Sequence, residues 1–214
     1  MTGGFDAGVR GMEEGLRKDG MVELDPARPL WDRFFTVAPL VLVGTREGDG
    51  YDLAPKHMAG PAGWGGYFSF VCAPSHSTYH NVREWGGFAV SFPRPHQVLE
   101  TSLSAQPRVE PDGATPGLEL LPTLPAEVVE GRLLEGAHLH LECELHQVVD
   151  DLGDNSLILG KVVAARVPTE ALRSSERPDQ EVLAEEPLLV YVSPGRVATV
   201  DRAAPFPFPA DFRR

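Results

Sequence analysis

Two short groups of cationic and hydroxyl side chains each come directly after an apolar segment of this sequence. Lys56 and His57 form the first group, and His76, Ser77 and Thr78 form the second. A helix that begins near the second group would present free backbone N–H groups and the positive end of its dipole. Hydroxyls at such a helix start either cap the helix or hold a phosphate, and the residue types alone favour the cap.

The segments around the two groups predict the elements that must position them. Apolar runs are typical of strands over residues 39–45, 67–72 and 88–92, and helical spacing predicts a helix over 77–85. An acidic, glycine-rich turn at 46–50 indicates that the first strand returns as a hairpin, which would carry Lys56 at its end.

The second half of the chain predicts further strands. Alternating apolar and polar residues indicate a long hairpin of strands 137–149 and 156–167, joined by a turn at 150–155. A last short strand is predicted over 188–192. The tail at 203–214 is rich in proline and cannot form a central strand, because proline lacks the ladder donor.

Helices are expected to be few and short. Besides the helix at 77–85, the sequence predicts short helices at 25–35, 95–103 and 117–121. Asp25 is the expected N-cap of the first, and Val98 and Leu99 are expected to face inward from the second. Residues 106–125 are expected to form a surface excursion, and residues 1–24 an N-terminal arm, either a short helix or a loose segment.

Many strands, few helices and hairpin turns predict a mainly β fold with some α, an antiparallel barrel with flanking helices. No composition boundary separates the strands, so a single domain over residues 1–214 is expected.

Composition limits the classes of function. The chain has 214 residues, is 42% hydrophobic and carries a formal net charge of −12. Such a charge argues against a nucleic-acid or anionic-membrane surface but allows a small phosphate ligand at a local cation. Neither a signal peptide nor an apolar run long enough to span a membrane is found, so a cytoplasmic protein is expected. Cys72 and Cys143 lie in apolar runs and are expected to be buried small residues rather than a redox pair.

One face of the predicted strand 137–149 offers an alternative site. Its members are His138, His140, Glu142, Glu144 and His146. Two histidines two positions apart could chelate zinc, but a solvated or subunit-facing strand face is the favoured interpretation, and no metal is assigned. The common phosphate-loop, zinc-protease, nucleophile-elbow and paired-cysteine motifs are not found.

Five segments follow one another in an order typical of one protein family. They are 39–45, an opening strand; 52–57, an Asn-x-Ala-Pro-x-Ser type loop; 77–82, a Thr-x-x-Asn-Ile/Val motif; 87–91, the next strand; and 141–145, a Leu-Glu-Cys strand. In this order they resemble the flavin reductase-like family, which is related to flavoredoxin and has the FMN-binding split-barrel fold.

The resemblance implies a split barrel that binds FMN at the edge of a homodimer and uses NADH or NADPH as reductant. The cofactor-binding residues that it implies are Leu53, Ala54, Pro55, Lys56, His57, His76, Ser77, Thr78 and Asn81. By this comparison the loop at 53–57 would line the flavin, Ser77, Thr78 and His76 would hold the phosphate, and Asn81 would support them.

The chain departs from the family pattern at three places. Asp52 stands where the family has Asn, and His57 stands where it has Ser. We expect Asp52 to point away from the flavin or to be paired, since an acid disfavours anionic reduced flavin. No tyrosine is evident near the last strand, where residues 196–198 are Arg, Val and Ala.

Two functions remain open on these grounds. One is an oxidoreductase that moves reducing equivalents from NADH or NADPH to flavin, in which the cofactor supplies the hydride chemistry. The other is a non-catalytic FMN-binding electron carrier. Hydride transfer needs no acid–base residue, so no catalytic residue is assigned. His57 is a candidate for proton handling, and a structural role beside the phosphate is an equal alternative.

Overall fold

The computed structural model describes residues 19–106 and 118–209. The strands are β1 Thr36–Pro39, β2 Val41–Glu47, β3 Gly50–Lys56, β4 Ala59–Pro61, β5 Tyr67–Cys72, β6 Gly87–Phe92, β7 Thr123–Pro125, β8 Arg132–Leu134, β9 Leu139–Leu152, β10 Asn155–Arg166, β11 Leu188–Ser193 and β12 Arg196–Val200. The α-helices are α1 Ser77–Trp85, α2 Val98–Leu103 and α3 Asp179–Glu185. Short 3-10 turns lie at Pro95–Gln97, Leu118–Leu120 and Thr169–Ala171.

A seven-stranded sheet dominates the structure, in the order β3-β2-β6-β9-β10-β5-β4. All its pairings are antiparallel. The sheet curls so that β3, at one edge, approaches β5 near the other. A three-stranded sheet, β1-β11-β12, and a two-stranded sheet, β7-β8, complete the described strands. The predicted mainly β antiparallel architecture with few helices is confirmed.

The curled sheet is buried on both faces at β2. Val41 and Val43 belong to the main core, with Phe68, Phe70, Phe88 and Ile158. Leu42 points to the opposite face and packs with Leu53, Leu121, Leu134 and Ala137. Strand side chains alternate between faces, so a strand covered on both sides has a continuous apolar sequence instead of an alternating one.

The hairpin of β2 and β3 sorts the predicted site residues onto two faces. Asp52, Ala54 and Lys56 lie opposite Thr45, Val43 and Val41, on the face of the main core. Leu53 and Pro55 lie opposite Gly44 and Leu42, on the other face. The pleat of one strand therefore divides a loop that looks continuous in sequence.

The prediction of a helix at 25–35 is wrong. Asp25 accepts hydrogen bonds from Ala27 N to its side chain at 2.9 Å and from Arg28 N to its carbonyl at 3.1 Å, which makes a turn. Pro29 has no N–H to donate to the Asp25 carbonyl, so the first bond of a helix could not form.

The helix over 95–103 is confirmed as a 3-10 turn followed by α2, but its inward residues were wrongly predicted. Leu99 is 74% exposed, whereas Gln97 and Thr101 are buried. Thr101 Oγ1 donates to the Gln97 carbonyl at 2.8 Å, so a polar side chain faces inward where its hydrogen bond is satisfied within the helix.

Several other predictions are confirmed in part. The long hairpin is β9 and β10, and the strand at 188–192 is β11, but β12 after it and the pairing of β4 with β5 were not foreseen. Residues 118–120 of the expected helix at 117–121 form a 3-10 turn. Residues 203–209 of the tail have no regular structure. Most of the expected N-terminal arm, residue 117 and residues 210–214 lie outside the described residues, and the single domain stays a prediction.

Candidate functional site

The start of α1 is tied to the edge strand β3 by a buried acidic residue. Asp52 is 6% exposed, and its Oδ2 accepts hydrogen bonds from Ser77 Oγ at 3.1 Å and from Thr78 Oγ1 at 3.3 Å. One turn further on, buried Asn81 donates from Nδ2 to Thr45 Oγ1 on β2 at 3.0 Å. Asp52, four residues before Lys56 on β3, therefore joins β3 to the hydroxyl group at the start of α1, and the combined site stays a prediction.

The hydroxyls do not cap the helix. His76 is the N-cap residue of α1, and its side chain makes no capping hydrogen bond. The first turn of α1 also contains no acidic residue. The prediction of a hydroxyl cap is wrong because α1 begins at Ser77, so Ser77 and Thr78 lie after the N-cap position and their hydroxyls donate to Asp52 across the sheet edge.

Asp52 is paired, which is one of the two arrangements expected for it. Its carboxylate lies on the core-facing side of β3, the side that also carries Ala54 and Lys56. Ionised carboxylates accept hydrogen bonds and do not donate them, so both hydroxyls act as donors to Asp52.

Lys56 is directed into the fold, where it is 9% exposed. Its side chain lies near the thiol of Cys72 at the end of β5. Burial raises the pKa of the Cys72 thiol, while the positive charge of Lys56 opposes that rise. The nearby Asp52 carboxylate acts in the opposite sense to Lys56. The site thus combines one buried cation with one buried anion.

His57 lies against the second sheet. Its ring stacks on the ring of Tyr191 in β11, with centroids 4.2 Å apart and an angle of 25° between the planes. The Tyr191 hydroxyl accepts a hydrogen bond from Gly195 N at 2.8 Å. Burial lowers the pKa of His57, and the positive charge of Lys56 lowers it further. His57 is therefore neutral at neutral pH.

Tyr191 is the residue that the sequence interpretation missed. The predicted strand 188–192 contained it, but the tyrosine was sought among residues 196–198. The pairing of β1 with β11 places Tyr191 opposite Ala38, just before β2 begins. The contact between Tyr191 and His57 depends on this pairing of distant segments, so the local sequence could not predict it.

The remaining predicted site residues are divided by the sheet. Leu53 is 2% exposed and belongs to the second core cluster, so its side chain packs rather than facing the start of α1. Pro55 shares that face, whereas Ala54 shares the face of Lys56. His76 is exposed at the helix start.

The histidine-rich face of β9 was expected to be exposed to solvent or to face another subunit. In the structure, part of this face is buried within the chain. Glu142 is fully buried, and its Oε2 accepts hydrogen bonds from the backbone N–H groups of Glu127, Val128 and Val129 at 3.0, 2.6 and 3.0 Å. Its Oε1 accepts one from Arg166. A segment that crosses the sheet covers this face, which the alternation of β9 alone could not reveal.

Two histidines of that face also have protein partners. His140 Nε2 hydrogen-bonds the Leu134 carbonyl at 2.7 Å, and the His146 ring packs against Tyr67. No cluster of three metal-binding side chains is found among residues 19–106 and 118–209. Cys72 and Cys143 are buried and unpaired, which agrees with the prediction of small core residues. Burial and the nearby Glu142 charge raise the pKa of Cys143 to about 12.

The chain belongs to the flavin reductase-like family. The family profile described as "Flavin reductase like domain" matches residues 34–198. This match spans both polar groups, the curled sheet and β11. No curated protein sequence matches the chain significantly.

Solved structures show the same fold. The FMN-binding protein of Thermus thermophilus superposes with a TM-score of 0.71 at 20% identity, covering 87% of this chain and 100% of that one. The flavoredoxin of Methanosarcina acetivorans gives 0.69 at 18% identity, covering 87% and 94%. The NADH:FAD oxidoreductase of Streptomyces globisporus gives 0.60 at 17% identity, covering 79% and 88%. The split-barrel fold is thereby established.

In the described part of the chain, no helix is long and apolar enough to cross a membrane.

Proposed function

We propose that this protein is an FMN-binding oxidoreductase that transfers reducing equivalents from NADH or NADPH to flavin. The observation that carries the proposal is the junction of β3 and α1. There Ser77 and Thr78 are hydrogen-bonded to Asp52, within a chain that belongs to the flavin reductase-like family over residues 34–198.

The residues at this junction are chemically suited to a bound flavin. Lys56 supplies a positive charge, and α1 begins there with no acidic residue in its own first turn. Ala54, Pro55 and His57 would lie along the ring system, and His76, Ser77 and Thr78 beside the phosphate. Asn81 would keep α1 in place through Thr45. Leu53 would act by packing beneath the loop.

The flavin, when bound, supplies the hydride-accepting N5 position. The protein would contribute binding, orientation and exclusion of water. His57 is neutral at neutral pH because burial and Lys56 lower its pKa, so it can accept or donate a hydrogen bond at the cofactor. Its stacking on Tyr191 limits its orientation.

FMN titration of the purified protein, followed by flavin fluorescence, tests the binding site. We expect Lys56→Met to raise the FMN dissociation constant at least about tenfold, because the charge-assisted contact of Lys56 with the electron-rich edge of the flavin ring would be lost. Lys161→Met is the matched control: it removes one lysine charge from β10, where Lys161 lies over the Tyr67 ring. Equal affinities for the Lys56 and Lys161 variants would show that the site is misplaced.

Anaerobic addition of NADH or NADPH to the FMN complex tests the activity. Bleaching of the flavin absorbance with either nucleotide supports the oxidoreductase. A complex that stays coloured with both supports the second candidate, a non-catalytic FMN-binding electron carrier. The structural similarity to the flavoredoxin of Methanosarcina acetivorans favours keeping that candidate.

A homodimer in the cytoplasm is part of the same proposal. The hairpin of β9 and β10 exposes Val149, Leu152 and Val163, each more than a third accessible, and association would cover such apolar residues. The two unpaired cysteines suit a reducing compartment. Light scattering coupled to gel filtration distinguishes a dimer from a monomer.

A further inference from the structure

Asp52 occupies the donors that a flavin phosphate would use. Ser77 Oγ and Thr78 Oγ1 both donate hydrogen bonds to the same carboxylate oxygen, Asp52 Oδ2, at 3.1 and 3.3 Å. Each hydroxyl has one hydrogen, so a hydroxyl that donates to Asp52 offers only lone pairs elsewhere. Phosphate oxygens are acceptors too, and two acceptors do not form a hydrogen bond.

The charge of Asp52 has the same effect as its hydrogen bonds. Asp52 is 6% exposed and is held at the start of α1, where its negative charge already interacts with the positive end of the helix. The Asp52 charge raises the pKa of the Cys72 thiol and the Lys56 charge lowers it, so both charged groups act on the same thiol. A dianionic phosphate would approach a site in which the negative charge of Asp52 opposes the positive charge of Lys56.

We propose that Asp52 is a specificity-determining residue that removes most of the preference for a phosphorylated flavin, so that riboflavin binds nearly as well as FMN. This inference rests on the proposed flavin site and concerns which flavins it accepts. The ring system would be held by residues 54–57, and the phosphate would add little to the binding free energy.

Asn is the informative replacement at position 52. Asp52→Asn keeps the size of the side chain and a carbonyl oxygen that can accept from the hydroxyls, while it removes the negative charge. We expect the variant to bind FMN about tenfold more tightly and to bind riboflavin as the wild type does.

The test is a pair of fluorescence titrations, with FMN and with riboflavin, on the wild type and two variants. The control Asp49→Asn removes the same charge from an exposed position in the turn between β2 and β3, and both affinities should stay unchanged. For the wild type the two dissociation constants should agree within about tenfold.

Two results would overturn the inference. One is a wild type that prefers FMN over riboflavin by more than about a hundredfold, which does not depend on any variant folding correctly. The other is an Asp52→Asn protein in which both affinities change equally or FMN binding weakens selectively.

The outcomes distinguish a failure of this inference from a failure of the proposed oxidoreductase activity. If both flavins bind with similar affinity but neither NADH nor NADPH bleaches the complex, the inference stands and the proposed activity fails. If the wild type binds neither flavin, both are overturned.

Discussion

Asp52 and Glu142 are acidic residues in two strands of the curled sheet, 6% and 0% exposed. Glu142 is held by three backbone N–H groups and by the Arg166 guanidinium. Asp52 is held by the hydroxyls of Ser77 and Thr78. Glu142 therefore belongs to the framework, meaning the part of the fold that supports the sheet. Asp52 lies where a ligand is proposed to bind.

The difference teaches what each carboxylate can do. Backbone N–H groups cannot turn away, so Glu142 keeps the segment 126–132 fixed across β2 and β9. Hydroxyl hydrogens rotate about the C–O bond, so the arrangement around Asp52 can change when a ligand arrives. We expect stability to depend chiefly on Glu142, and ligand selectivity chiefly on Asp52.

The largest expected effect is that of Glu142→Gln. The amide loses the charge that Arg166 pairs with and points an NH2 group at donors, so the free energy of unfolding should fall by about 2–4 kcal/mol. Urea unfolding followed by circular dichroism measures this. Glu144→Gln, an exposed position two residues along β9, is the control and should change stability by less than about 0.5 kcal/mol.

The same variant should also alter the response to acid. Burial by itself raises the pKa of Glu142, but the hydrogen bonds from Arg166 and the backbone outweigh burial and hold that pKa below 4.5, its ordinary value. A folded-state pKa that is lowered contributes stability above pH 4.5, and this contribution is lost as the pH falls further. Wild-type urea midpoints should decline below that pH more steeply than those of Glu142→Gln.

Gly44→Ala is expected to have the next largest effect, and it separates packing from charge in the framework region. A Cβ at Gly44 would lie 2.0 Å from the Arg132 carbonyl oxygen, so the segment that carries Glu127 to Val129 would have to move. The free energy of unfolding should fall by about 1–3 kcal/mol. Gly60→Ala, where no heavy atom lies within 4 Å, is the control in β4. Equal stability of the two variants would contradict the close packing at Gly44.

The smallest expected effect is that of Asp52→Asn on stability. The amide oxygen still accepts a hydroxyl hydrogen bond, so the free energy of unfolding should change by about 1 kcal/mol or less. The measurement is the same urea titration, without flavin. If Asp52→Asn lowered the free energy of unfolding as much as Glu142→Gln does, the contrast between the two carboxylates would be wrong, because Asp52 would then be a framework residue as well.

The sequence predicted the parts of the fold that depend on local patterns. The hairpin of β9 and β10, helix α1 and the strand Tyr67–Cys72 follow from alternation, helical spacing and turn residues. Short strands such as β4 and β12 were not predicted, because pairing with neighbouring strands stabilises them more than the propensities of their own residues do. The helix expected at 25–35 failed at Pro29, where a missing donor mattered more than the apolar spacing.

The membership of the candidate site stays a prediction, and most of the geometry around Asp52 could not be predicted from the sequence. Asp52 was expected to be paired or turned away, and it is paired with Ser77 and Thr78. The direction of Lys56 and the division of Leu53 from Ala54 follow from the register of β2 and β3, which no single segment reveals.

The sequence alone determined that this chain has two polar groups at the ends of strands, an antiparallel mainly β architecture and the order of motifs of its family. These properties depend on residues close together along the chain. Only the tertiary structure decided that Asp52 holds both hydroxyls, that Tyr191 covers His57 and that Glu142 is buried. Each of these joins residues 25 or more positions apart or depends on a segment that crosses a strand face. Such contacts are set by strand pairing and curvature, and local residue patterns do not encode them.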